Sequence, residues 1–317
     1  MPADIRKLIK VGLIIACLVA LVLGSIFLTI QPDPKHYYRG SVLKLDLLKN
    51  TSSPRIIITG GSNIAFGIDS DLIQENFNMP VINHGLVVGL GVAPIKELKE
   101  YIQPGDIIII SLEYYNFSNS AAFYGYPEYI SDWIEFSPER IKYLEHPLGQ
   151  APNMFSIILQ RKLNRQLNFL LYGGSLDAVR GLYTGDQFNS HGDFIGHLTM
   201  DPESPSAIGS SAYPITYLEE AYTFLADFNQ YARAHGARVF YEAQPNRQTN
   251  CEATGNDELI NFYRILHRKT SIRVLTHLDQ LCIPDEYFFD TPYHLNAAGR
   301  EFRTQRLIQN LKIALKN

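Results

Sequence analysis

Arg55-Ile56-Ile57-Ile58-Thr59-Gly60-Gly61-Ser62-Asn63 is the stretch on which the reading of the fold turns. An unbroken β-branched run of this kind reads as a strand buried on both faces. The two glycines that follow permit a tight turn and close backbone approach. A serine after such a turn sits exposed above the sheet edge, at the start of a helix whose free N–H groups favour an anion. A Gly-Gly-Ser turn after a strand also serves as a phosphate-binding or purely structural turn, so the stretch alone does not establish catalysis.

Working outward, further strands are expected at residues 80–82, 106–111, 238–243 and 272–276, the second of these holding four consecutive isoleucines. Helical patterns fill the gaps at residues 70–77 and 93–102, the latter ending before the Pro104-Gly105 breaker. Leu218, Ala221, Leu225 and Phe228 mark one face of a helix ending at Gly236, and helices are also expected at residues 257–269 and 297–315. This alternation predicts an α/β fold, a three-layer α/β/α sandwich around a parallel five-stranded sheet. Ligands then bind beyond the carboxyl ends of the strands.

Residues 117–214 break the rhythm with a stretch rich in Tyr, Phe, Gly and Pro, and read as an insertion carrying one helix near residues 154–171. Tyr124, Tyr126, Tyr129 and Trp133 offer flat faces to sugar rings, or else form the insertion's own core. Asn189-Ser190-His191-Gly192-Asp193, with His197 beyond it, reads either as a surface turn capped by Asp193 or as a contributor to substrate binding through His191.

The chain has 317 residues, 46% hydrophobic and 19% charged, which is the composition of a globular protein. Residues 11–30 carry no charge and are enough to cross a hydrocarbon core roughly 30 Å thick. Arg6, Lys7 and Lys10 precede them, while Asp33 and Lys35 roughly cancel behind, so residues 1–10 are expected in the cytoplasm. Residues 31–54 then form a juxtamembrane linker and 55–317 an extracytoplasmic domain, periplasmic or at the cell surface. A cleaved signal peptide and a lipidated Cys17 are the rival readings of the leader. The formal charge of −4 and the lack of a basic patch exclude a nucleic-acid binder. Cys251 and Cys282 either pair or remain two thiols. No Cys/His spacing points to a metal or to any other cofactor, and none is expected.

Near the other end stands Phe289-Asp290-Thr291-Pro292-Tyr293-His294-Leu295-Asn296. A histidine at the mouth of the last helix can take the proton of Ser62, with Asp290 four residues earlier fixing its tautomer. These blocks resemble the SGNH (GDSL-like) hydrolase superfamily, and particularly its membrane-anchored exported members related to alginate O-acetylation and D-alanine-transfer proteins. Gly60-Gly61-Ser62 resembles the block bearing the nucleophile, and the His294-Leu295-Asn296 run with Gly299 resembles the block bearing the base. Asn83-His84-Gly85 through Gly89 resembles the oxyanion block, with Gly89 or Gly85 as the N–H donor. Asn116 resembles the asparagine that supplies a side-chain donor, a place Glu113 or Tyr115 could also hold. Asn63 is a further candidate for contact with substrate.

The resemblance implies a flavodoxin-like sheet and a Ser62–His294–Asp290 triad. It also implies acyl-ester chemistry on a glycan or cell-envelope polymer, as an O-acyltransferase or an esterase. Its partners would be an acyl donor, a polymer acceptor, the membrane through the N-terminal helix, and a multipass acyl-transferring protein. A non-catalytic glycan-binding component of an envelope polysaccharide synthesis or export complex is the alternative.

Overall fold

The computed structural model describes residues 2–29, 32–145, 147–172 and 183–316. Residue 30 at the end of the expected anchor, residue 31 of the linker, residues 146 and 173–182 of the insertion and residue 317 lie outside the described residues. Helix α1 (Ala3–Thr29) is long and apolar enough to cross a membrane, and residues 4–22 are exposed along it.

Strands β1 (Ile56–Gly60), β2 (Val81–Asn83), β3 (Ile107–Ser111), β4 (Arg238–Tyr241) and β6 (Arg273–Val274) form one parallel sheet in the order β2-β1-β3-β4-β6. Strand β5 (Asn246–Arg247) pairs instead with β7 (Cys282–Ile283) in a small separate ladder. A disulfide between Cys251 and Cys282 fastens that ladder to the neighbouring helix. The five strands expected from sequence are therefore present, β4 and β6 being shorter than expected.

The isoleucine runs divide by parity, because side chains alternate across a strand. Ile57, Ile108 and Ile110 enter one apolar cluster, while Ile56, Ile58, Ile107 and Ile109 enter a second on the opposite face. All seven are essentially solvent-free. Truncating one, as in Ile108→Ala, costs about 2–5 kcal/mol.

Helix α2 (Gly40–Asn50) precedes β1, and α3 (Ser62–Gly67), α4 (Ser70–Phe77) and α5 (Ala93–Lys99) lie between strands. The insertion adds α6 (Ser120–Tyr124), α7 (Pro127–Phe136), α8 (Pro147–Tyr172) and α9 (Pro205–Ile208). The second half supplies α10 (Glu219–Ala234), α11 (Gln248–Thr254), α12 (Asn256–Thr270) and α13 (Ala297–Lys316). Helices α2, α5, α10 and α12 cover the first apolar cluster, and α3, α4 and α13 the second.

Most of the stretch read as a linker is in fact folded onto the domain. Helix α2 buries Leu45 and Leu48, and its Ser41 accepts from and lies against Arg140, whose guanidinium also binds Glu97 at 2.8 Å. Lys44 is buried too, its ammonium donating to the Asn83 and Gly192 carbonyls, and burial depresses its pKa to about 7. Such groups are stable only where every donor finds a partner, so residues 40–50 are held in one position against the sheet.

Candidate active site

The strand order turns back between β1 and β3, and the crevice beyond their carboxyl ends is where an open α/β sheet binds ligands. Gly60 and Gly61 lie there because the ends of the two strands crowd together. A Cβ on Gly60 would meet the Ser111 carbonyl oxygen at 2.1 Å, and one on Gly61 would meet the Glu113 carboxylate at 2.6 Å. Glu113 thus fills the room a side chain at position 61 would need. Ser62 opens α3, half-buried at the wall of a cavity of about 700 Å³.

His294 reaches the same cavity from the opposite end of the chain. Its Nδ1 lies 2.8 Å from Asp290 Oδ1, and the other carboxylate oxygen of Asp290 accepts from the Tyr183 hydroxyl. The four-residue spacing is folded into a turn by Thr291, whose Oγ1 accepts the N–H groups of Tyr293 at 3.3 Å and His294 at 3.0 Å. Burial pushes the Asp290 carboxyl up, but the hydrogen bond and charge of His294 with the Tyr183 hydroxyl outweigh it and hold the group below its ordinary value. An ionised carboxylate accepts only, so Nδ1 carries the proton and Nε2 is left as the ring's acceptor.

The imidazole also stacks on Phe66 at 4.0 Å between centroids and 7° between planes. Phe66 lies one turn after Ser62 on α3, so one short helix carries the serine and a face that orients the histidine. Among the described residues, Ser62 Oγ makes no hydrogen bond, and the serine–histidine bond is not formed.

The candidate oxyanion residues part ways. Gly85 donates its N–H to Asn83 Oδ1 at 3.1 Å, and a Cβ there would strike Ile64 at 2.5 Å, so this glycine serves packing. The N–H groups of Ser62 and Gly89 find no acceptor among the described residues and remain available. A Cβ on Gly89 would run into the Tyr129 ring at 2.4 Å.

Asn116 departs from expectation, because its amide is fully used. Nδ2 donates to the carbonyls of Val88 at 3.0 Å and Ala122 at 3.1 Å, while Oδ1 accepts the Glu113 N–H at 3.1 Å. With both amide protons taken it braces Val88, the residue before Gly89, and has none left for substrate. Asn63 is likewise buried, donating to the Ser111 carbonyl at 3.1 Å and to Glu113 at 3.3 Å, and does not line the cavity.

Glu113 lies beneath the serine turn, with its carboxyl raised by burial, while Tyr115 lines the cavity and donates its hydroxyl to that of Tyr126 at 3.0 Å. His191 bonds the Val81 carbonyl at 3.0 Å and Asp71 at 2.9 Å through its ring, its own carbonyl accepts the Asn83 N–H at 2.9 Å, and it does not line the cavity. Both ring nitrogens are used in holding the insertion to β2 and α4, which gives no support to the substrate contact expected of His191.

Several supporting residues escaped the sequence reading. Arg303 of α13 donates to the Asn63 carbonyl at 2.7 Å and the Ala243 carbonyl at 3.1 Å, holding the turn that bears Ser62. Asp193, expected as a surface cap, is a buried hub that accepts from Ser70, Asn83 and Arg300 at 2.6, 2.7 and 2.8 Å. Of the four aromatics expected to offer faces, Tyr126 and Tyr129 line the cavity, whereas Trp133 is core and Tyr124 packs elsewhere. Tyr37, Tyr38, Tyr183 and Phe66 complete a mostly aromatic wall. The same cavity is lined by Asp132, raised to about 6 by burial, and Arg161, which donates to it. Neither the protein-family models nor the curated proteins compared with this chain give a match.

Proposed function

We propose that the chain is an SGNH-type serine acyltransferase or esterase on a three-layer α/β/α sandwich, acting on a glycan or envelope polymer outside the cytoplasmic membrane. The observation that carries this is the Asp290–His294 hydrogen bond set at the wall of the cavity that Ser62 lines. Support also comes from the sequence blocks around Ser62 and His294, and from a disulfide, which persists in oxidising compartments.

In this mechanism His294 Nε2 takes the Ser62 proton as Oγ attacks the acyl carbonyl. The N–H groups of Ser62 and Gly89 receive the developing oxyanion, each worth about 3–4 kcal/mol. His294 then protonates the leaving alcohol, and an acceptor hydroxyl, deprotonated by the same nitrogen, takes the acyl group from Ser62. Asp290, held ionised, stabilises the imidazolium formed in each half. The serine–histidine bond forms when substrate is bound, as such bonds often tighten only in the complex. The aromatic wall suits pyranose rings, and an anchor that holds the site near a membrane-borne donor favours transfer over hydrolysis.

The unformed Ser62–His294 bond favours one other reading, a glycan-binding protein that keeps the fold without catalysis. The two separate on products. Incubation of the full chain with an activated acetyl ester and an oligosaccharide should give acetylated sugar, and Ser62→Ala should abolish it. Free acetate alone identifies an esterase, and glycan binding with no turnover identifies the binding protein.

A further inference from the structure

Helix α8 is amphipathic in the inverted sense. On its second half Leu163, Leu167, Leu170 and Leu171 are 45–70% exposed, at spacings that place them on one stripe. Its charged residues turn inward instead: Arg161 binds Asp132 at 2.5 Å, and Lys162 and Arg165 both reach Glu135, all on α7. A helix at a water surface does the reverse, burying its apolar side and solvating its charges.

Something apolar therefore covers the stripe, and its neighbour indicates what. Helix α1 packs against α8, and its own exposed apolar surface is long and apolar enough to take the bilayer as its solvent. The chain returns quickly from α1 to the domain. Six residues lie between Thr29 and His36 at the Ser62 cavity, seven Cα–Cα steps that span at most about 25 Å. A second cavity of about 690 Å³ opens beside this junction, walled by Pro32, Pro34, Met154, Phe155 and Ile158.

We propose that α8 is a second membrane contact, lying in the lipid interface with Leu163, Leu167, Leu170 and Leu171 among the acyl chains. Because Arg161 on the same helix walls the Ser62 cavity, the site stands at the bilayer surface and draws a lipid-borne acyl donor from it. The proposal rests on α1 spanning the membrane, and its last clause on the acyl-transfer reading above.

The test places nitroxide labels on the full chain in phospholipid vesicles, at Leu167→Cys, Leu171→Cys and Ile313→Cys in a Cys17→Ser background, and at native Cys17 in α1. Relaxation by oxygen should exceed relaxation by a water-soluble nickel chelate several-fold at Leu167→Cys and Leu171→Cys, as at Cys17, with the ratio inverted at Ile313→Cys. Chelate access at both α8 sites with Cys17 protected overturns the proposal, and access at Cys17 overturns it together with the anchor. Spin–spin broadening lost on dilution with unlabelled protein places a second copy on the stripe and also overturns it. For the donor, Leu167→Asp/Leu171→Asp should lower turnover of a long-chain ester in vesicles at least tenfold while leaving p-nitrophenyl acetate unchanged. Equal loss on both esters removes the lipid-borne donor, and no turnover of either by the wild type removes the acyl-transfer reading while the label result stands.

Discussion

The imidazole of His294 lies flat on the ring of Phe66, 4.0 Å away and within 7° of parallel, while Asp290 holds its Nδ1 edge at 2.8 Å. Two contacts at right angles fix both the tilt and the rotation of the ring. Because Phe66 belongs to the helix that Ser62 begins, any shift of α3 moves nucleophile and base together. Phe66→Leu, which keeps much of the volume but loses the flat face, is expected to lower the rate of serine acylation about tenfold to a hundredfold. Stopped-flow burst kinetics would check this; an unchanged burst would mean that Asp290 alone sets the ring.

Asp290→Asn should leave the fold intact and cut acylation by about 10³–10⁴-fold, because the neutral amide donates its N–H to Nδ1, forces the ring proton onto Nε2 and cannot stabilise an imidazolium. The four-residue spacing matters little if Thr291 shapes the turn. Thr291→Val should therefore weaken acylation in the same direction but less. Pre-steady-state rates of both variants, with circular dichroism as a fold control, decide the point.

Gly61 and Glu113 share one space, since a Cβ at position 61 falls 2.6 Å from the carboxylate. Gly61→Ala should destabilise the protein by about 1–3 kcal/mol. The double variant Gly61→Ala/Glu113→Ala should be more stable than the sum of the two single effects predicts, because removing Glu113 relieves the clash. Urea unfolding of the four proteins in the cycle measures this directly; strict additivity would show that the two positions do not compete.

Glu242 is buried beside Arg303 with Oε2 lacking a hydrogen-bond partner among the described residues, and burial raises its carboxyl to about 7 from the ordinary 4.5. A raised folded-state pKa means that the native protein binds a proton the unfolded chain has released. The contribution is fully present below about pH 4.5 and is lost as pH rises through about 7. Glu242→Gln should therefore flatten this part of the stability profile, and its advantage over wild type should grow from pH 5 to pH 8 in urea midpoints.

The strands were legible because fully buried parallel strands need unbroken β-branched runs, and residues 55–59 and 106–111 hold them without competition from helical spacing. The serine and histidine loops were legible for a related reason. Both lie at the carboxyl edge of the sheet, and glycine and turn residues announce them. The helix at residues 40–50 was not, since its buried face includes Ser41 and Lys44 beside Leu45 and Leu48 and so lacks an apolar stripe. Helix α7 carried a usable sign in Pro127 at its first turn, which the aromatic composition around it obscured.

Asn116 shows the harder limit. Its amide could equally cap a turn or face a substrate, and only the carbonyls of Val88 and Ala122, brought together by the fold, select the first. Arg303 and Asp193 are of the same kind. Their partners lie roughly 60–240 and 110–120 residues away in sequence, where no local pattern reports them.

Whether Ser62 is an activated nucleophile is tested most directly by covalent labelling of the full chain with a fluorophosphonate probe. The wild type should label, Ser62→Ala should abolish labelling and His294→Ala should reduce it at least a hundredfold. A folded wild type that never labels, or one that labels equally well without Ser62, would contradict this role for Ser62.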